Sequence, residues 1–264
     1  RVIAGSLSAS RSNIGAGLTI GFLYDEDSVK AQVGDHTEIT ATEGKYTQRS
    51  SSDMNALVIT AAAAVTASVA GSAMGGNFSA IVLKNEAISN VGNDVTIIAR
   101  DDVSITSQQQ NDLYLIAASA AVSGGSTAAG GTLNVTVADS NAKTIVKDGC
   151  VIKSTGESVT ISSLTEEQLI SVLASASASP TGSGTAGTIS VLVSDSDTLT
   201  DIGETKEIYA EKHVRIRADG SAKLFQINAA LSAGAQNAVG ATVSVNVLDR
   251  NIKATVAPSQ ITAN

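Results

Sequence analysis

The sequence repeats itself at an interval of about 55 residues, and this period constrains the fold more than any other feature. One motif combines a Gly-rich turn, a segment of alternating apolar and polar residues, and Asp or Asn residues. It recurs at 15–27, 75–86, 130–141, 186–197 and 240–251. A unit of this size with short strands cannot bury its own apolar face, whereas stacked units can. The repeat therefore predicts an all-β solenoid.

Within each motif every second residue is apolar, which is the period of a strand with one buried face. Aligned by motif, these residues form columns that we expect to stack in the core. The first column is Leu18, Phe78, Leu133, Ile189 and Val243. The second column is Ile20, Ala80, Val135, Val191 and Val245. A second motif adds Val103, Val159 and Val214. The acids and amides that follow the first motif predict a stacked turn ladder of Asp25, Asn85, Asp139, Asp195 and Asp249.

These patterns predict a parallel β-helix that forms one domain of roughly four and a half repeats. The repeats are 1–56, 57–112, 113–168, 169–223 and 224–264. Two coils of three strands per repeat is the preferred winding, and three smaller coils would also fit. The Ala-rich stretch at 61–65 has high helix propensity, but the matching stretch ASASASPTGSG contains Pro and alternating Ser, which favours strand.

Composition excludes several classes of protein. The formal net charge of −8 repels phosphate, so we expect no nucleic-acid partner. The longest apolar run, 57–71, is too short and too rich in Ala and Thr for a membrane helix, so we expect a chain that is not embedded in a membrane. We interpret the chain, which begins at Arg1, as a piece of a larger protein with flanking repeats as neighbours.

The apolar alternation, the Ala/Ser-rich strands and the segment from Gly92 to Ala99 resemble large bacterial filamentous adhesins and haemagglutinins. They are also similar to the β-strand repeats of large bacterial leukotoxins. The resemblance implies a right-handed parallel β-helix, secreted or displayed at the bacterial cell surface. It implies no catalytic residues, and we expect no cofactor.

Charged clusters are the remaining candidates for chemistry. Most acids lie at repeated positions and are interpreted as solvated, with calcium binding as the alternative for Asp195, Asp197 and Asp201. The two histidines, His36 and His213, stand in different repeats and do not predict a zinc site. The basic residues are interpreted as a solvated face, with binding of an anionic glycan as the alternative. They are Lys212, Arg215 and Arg217.

We therefore expect a structural or adhesive repeat segment without catalysis, whose partner is a host-cell glycan or protein. A carbohydrate-binding or carbohydrate-active β-helix, similar to polysaccharide lyases and hydrolases, is the alternative. That alternative requires acidic or basic side chains clustered on one face where the repeat symmetry breaks.

Overall fold

The computed structural model describes residues 1–11 and 13–264 and contains fifteen strands and no helix in this part of the chain. The chain winds as a right-handed parallel β-helix, so the predicted fold class is confirmed. Each repeat forms one coil with two long strands and one short strand. This winding differs from the preferred arrangement of two three-strand coils, because the long strands continue through positions where the sequence predicts turns.

Three five-stranded parallel sheets result. Sheet A consists of β1 (Val2–Ser10), β4 (Tyr46–Thr66), β7 (Val103–Ser123), β10 (Val159–Ser179) and β13 (Val214–Gly234). Sheet B consists of β2 (Ile14–Val33), β5 (Ser72–Val91), β8 (Thr127–Val146), β11 (Ser183–Ile202) and β14 (Asn237–Val256). The short sheet C consists of β3 (Glu38–Ala41), β6 (Thr96–Ala99), β9 (Val151–Ser154), β12 (Glu207–Ala210) and β15 (Ile261–Ala263).

Sheets A and B face each other, and each coil has two ends. One end is closed by sheet C, and the other by the turn that joins sheet A to sheet B. We call 25–53, 84–112, 139–167, 195–223 and 249–264 the short-sheet half, and 1–24, 54–83, 113–138, 168–194 and 224–248 the turn half. The turn half carries no Asp, Glu, Lys, Arg or His except Arg1 and Arg11.

Next to sheet C the interior is built from β-branched side chains that stack from coil to coil. Val103 and Val159 are fully buried and directly paired, and Val214 follows in the same column. Ile97 and Ile152 extend the cluster from the short sheet, where both are fully buried. Branched side chains fit this pleated interior well, so this cluster is the dry core of the short-sheet half.

A polar layer crosses the interior beside this core. Asn85 Nδ2 donates to Asn111 Oδ1 at 2.8 Å, and Asn111 in turn donates to Ser140. The Ser140 hydroxyl donates to Glu167 Oε1 at 2.6 Å, and the Ser194 hydroxyl donates to Glu167 Oε2 at 3.0 Å. Burial raises the pKa of Glu167, while these two hydrogen bonds act in the opposite direction. The layer links three coils through side chains of sheets A and B.

Close to the joining turn the interior is narrow. The inward side chains there are small, and a Cβ at Gly75 or Gly130 would overlap the backbone carbonyl of Ala120 or Ala176 on the facing sheet. The two backbones therefore approach too closely for large inward side chains, and glycine permits the approach. The large apolar residues of this region must point outward.

The predicted apolar columns of sheet B are consequently not in the core. Relative exposure is 66% for Leu18, 36% for Leu133, 46% for Ile189 and 51% for Val243. The prediction that this column is buried is wrong, and the second column lies on the same outer face, as the alternation along each strand requires. The inward positions are Asn77 and Ser79 on β5 and Thr132 and Asn134 on β8.

The first repeat is also out of register with the predicted alignment. Phe78 pairs with Ile20, and Leu18 pairs with Gly76, which is a shift of two residues. From the second repeat on, Phe78, Leu133, Ile189 and Val243 pair as predicted, as do Ala80, Val135, Val191 and Val245. The predicted alignment placed Gly15 opposite Gly75, whereas in the structure Gly17 pairs with Gly75.

The predicted turn ladder does not lie in turns. Asp139, Asp195 and Asp249 stack directly, but in the middle of β8, β11 and β14 and on the outer face. Asn85 points inward and pairs with Ser140, whereas Asp25 pairs with Leu83. Alignment by residue type therefore joined two different columns, because neighbouring strand positions face opposite sides of a sheet.

Candidate functional site: a polar groove on sheet A

The outer face of sheet A carries a polar groove in the short-sheet half. Its volume is about 440 Å³, which lies within the range of small-ligand sites. Side chains that point outward from four successive strands form its floor, and turn residues form its rim. The outward-facing polar and charged side chains that line the groove are Lys45, Thr47, Arg49, Asp102, Ser104, Thr106, Gln108, Ser162, Arg217 and Asp219.

One column of this floor has an ordered sequence of chemical groups. Arg49 pairs with Thr106, Thr106 with Ser162, and Ser162 with Arg217. Two hydroxyls therefore lie between two guanidinium groups, over three ladder steps of about 4.8 Å each. Guanidinium groups bind carboxylate, sulfate and phosphate through paired hydrogen bonds, and hydroxyls bind other hydroxyls. This column suits a ligand with spaced anionic groups and hydroxyl groups between them.

Both guanidinium groups are oriented by neighbours. Arg49 Nη2 donates to Gln108 Oε1 at 2.7 Å, and Arg217 Nε lies 3.1 Å from Asp219 Oδ2. Each contact uses part of the planar group and leaves other donors for a ligand. The second carboxyl group of the rim, Asp102, accepts from the backbone N–H of Ser158 at 3.2 Å. The carboxyl groups of the groove thus already have partners.

The structure separates the predicted basic residues. Arg217 lines the groove, and Arg215 stands one column away, in register with Thr160. Lys212 instead forms an ion pair with Glu157 at 2.5 Å. Sequence reasoning missed Arg49, which shares a column with Arg217 at a distance of three strands. Only alignment of the repeats in their true register reveals this relation.

The acidic candidates are not brought together. Asp195, Asp197 and Asp201 point outward from one strand, with Leu199 between the last two, and Asp201 accepts a hydrogen bond from Thr255. Among residues 1–11 and 13–264, no group of three His, Cys, Asp or Glu side chains is placed to hold a metal ion. Glu166 faces outward and its neighbour Glu167 faces inward, so the interpretation of the acids as solvated is wrong for Glu167, which is buried.

The two histidines and the cysteine are not brought together either. His36 lies near Asp94, with 3.7 Å between Nδ1 and Oδ2, whereas His213 precedes sheet A at another coil. Cys150 is buried in the core beside sheet C, and its Sγ donates to the carbonyl of Gly92 at 3.1 Å. Burial raises the pKa of this thiol, which keeps it in the unreactive protonated form.

The described part of the chain contains no helix with the length and apolar character needed to cross a membrane. Comparison with protein-family models, with curated proteins and with solved structures finds no match for this chain.

Proposed function

We propose that this chain is a non-catalytic, adhesive segment of a secreted or cell-surface bacterial protein, built to present broad faces. The single observation that carries this proposal is the winding of one coil per repeat. A coil adds only about 4.8 Å along the solenoid axis, while its long strands, at about 3.3 Å per residue, span roughly 70 Å. A chain that served only to extend length would gain far more from narrow coils. The winding favours surface area over reach.

The polar groove of sheet A is the proposed contact site, and its ligand class is an anionic glycan. The column Arg49–Thr106–Ser162–Arg217 supports this choice because it places two hydroxyl-binding groups between two anion-binding groups. The chain as a whole carries a net charge of −8, so a local excess of cationic groups stands out electrostatically.

Binding to immobilised acidic polysaccharides, with heparin and polygalacturonate as probes, tests the proposal. We expect binding that weakens with salt, and at least a tenfold loss of affinity in the double variant Arg49→Ala/Arg217→Ala. Arg11→Ala is the matched control, since Arg11 is an exposed arginine between β1 and β2, in the other half of the coil from the groove. Its affinity should equal that of the parent chain.

Two outcomes would remove the proposal. No binding to either probe, or equal binding by the double variant and the control, rejects the groove as a glycan site. The carbohydrate-active alternative predicts a further result, which is a fall in the size of the polysaccharide during incubation. That result would overturn the non-catalytic role while leaving the groove as the place of contact.

A further inference from the structure

The outer face of sheet B is uncharged and mostly apolar in the turn half. In the second coil the outward positions run from Ser72 to Val82, and the first charged residue beyond them is Lys84. The other coils follow the same pattern, and their first outward charged residues are Glu26, Asp139, Asp195 and Asp249. Apart from the last coil, every exposed large apolar side chain of the described residues lies in the turn half.

This face is not flat, because it carries a ridge and a groove side by side. Phe78, Leu133 and Ile189 stack into a ridge that runs along the solenoid axis. Two residues earlier on the same strands, Gly76, Gly131 and Gly187 stack into a column without side chains, which leaves a groove beside the ridge. Leu18 fills the groove at the first coil. Ridge and groove are adjacent and of equal length over the three central coils.

A two-fold axis parallel to the solenoid axis, between ridge and groove, makes this face complementary to itself. Rotation about that axis places the ridge of one copy over the groove of the other, and the reverse. The axis falls at position 77 of β5, which is also the centre of the uncharged outer segment 72–82. Position 82 then lies over position 72 of the second copy. Lys84 and the charged positions beyond it project past the partner's turn, so no charge is buried.

The area of the face suits a stable pair. Eleven residues at about 3.3 Å give a width of roughly 36 Å, and five strands at about 4.8 Å give a height of roughly 24 Å. The product is about 860 Å² per copy, close to the roughly 800 Å² that each partner contributes to a standard interface. A lipid surface would cover any apolar face and would make no use of the ridge, the groove or their symmetric placement.

We propose that two copies of this chain associate through the outer face of sheet B in the turn half, with ridge packed into groove. This inference is independent of the proposed glycan site, which lies on sheet A in the other half. Residues Phe78, Leu133 and Ile189 enter the partner's groove at Gly76, Gly131 and Gly187. The pair exposes both glycan grooves and all charged outer faces.

Sedimentation equilibrium of the full chain and of Gly131→Val tests the proposal. A Cβ at Gly131 meets nothing within 4 Å, and valine is favourable in strands, so the variant keeps its coil. It fills the groove while adding apolar surface. We expect the parent chain to dimerise and Gly131→Val to weaken the dimer at least tenfold. Leu133→Lys, which places a charge on the ridge, should be monomeric.

Gly5→Val is the matched control, because Gly5 faces outward on sheet A and its added Cβ would touch only the Ala61 carbonyl at 3.7 Å. Its dimer affinity should be unchanged, and urea unfolding should show that all variants fold.

Three results overturn the inference. The parent chain could remain monomeric, or Gly131→Val could dimerise as well as the parent, as expected if the open end coils or unspecific apolar contacts cause association. In the third result, the parent chain and Gly131→Val both stay monomeric and float equally with phosphatidylcholine vesicles. The face would then bind a lipid surface and not a second copy of the chain.

Discussion

The two ends of each coil solve the same packing problem in opposite ways, and between them large apolar side chains such as Leu115 and Leu173 are buried as well. In the short-sheet half, large apolar side chains such as Ile97 and Ile152 fill the interior, and charged residues cover the outside. Next to the joining turn, the interior holds Ala, Gly, Ser and Thr, and large apolar residues such as Leu133 and Ile189 cover the outside. The comparison teaches that a stacked β-ladder can be stable with either kind of interior, because the backbone hydrogen bonds between coils are the same.

The largest difference in stability should come from truncating an isoleucine to alanine, once in the interior and once on the outer face. Ile152→Ala removes a fully buried side chain beside sheet C and should lower the free energy of unfolding by about 3 kcal/mol. Ile116→Ala removes an outward side chain of the turn half that is 45% exposed, and should cost less than about 1 kcal/mol. Urea unfolding of both variants measures the difference. Equal losses would mean that the outer face of sheet A is covered in solution.

Neighbouring glycines of β8 give a second contrast within the turn half. Gly130→Val forces a side chain against the backbone of Ala176 and should destabilise the chain by about 2 to 3 kcal/mol. Gly131→Val points into open space and should leave the unfolding midpoint unchanged or raised. The experiment compares their urea midpoints at a concentration where both are monomeric. A tolerated Gly130→Val would show that the narrow interior is not required.

The buried carboxyl group of the polar layer, Glu167, should make the stability of the chain depend on pH. Because burial raises the pKa of Glu167 in the folded chain, the folded state holds its proton above the usual value of 4.5. Stability from this group is therefore greatest at low pH and falls as pH rises from about 4.5 through the raised pKa.

Glu167→Gln should remove that fall, so the variant should gain stability relative to the parent as pH increases. Urea midpoints of both proteins between acidic and neutral pH give the difference. A gap that does not change with pH would show that the carboxyl group is solvated or firmly paired when charged.

The smallest effect concerns the outer face of the short-sheet half. Asp139, Asp195 and Asp249 stack directly, and like charges opposite each other are unfavourable. Asp195→Asn should stabilise the chain by a few tenths of a kcal/mol at low salt and by less at high salt. Asp201→Asn is the control, because Asp201 stacks between Ile145 and Thr255 and has no acid next to it. Its midpoint should not rise.

The sequence predicts only one of the two arginines of the candidate site. Arg217 was recognised as one of a basic set, and an anionic glycan was named as its alternative ligand. Arg49 was missed because it lies in a different repeat, and the relation between the two is visible only in the ladder register. The two-residue shift of the first repeat likewise requires the ladder register, because Gly15 and Gly17 are equally good partners for Gly75 by residue type and only the register shows that Gly17 is the partner.

The amino-acid sequence alone determined that this chain stacks: motifs about 55 residues apart lie on neighbouring strands in parallel register. It also determined the strand period, since alternate residues share a face. Only the tertiary structure decided which face is inside, because a period of two defines two faces and names neither. Near the joining turn the close approach of two backbones excludes large side chains, and this steric limit turned the predicted core of sheet B outward.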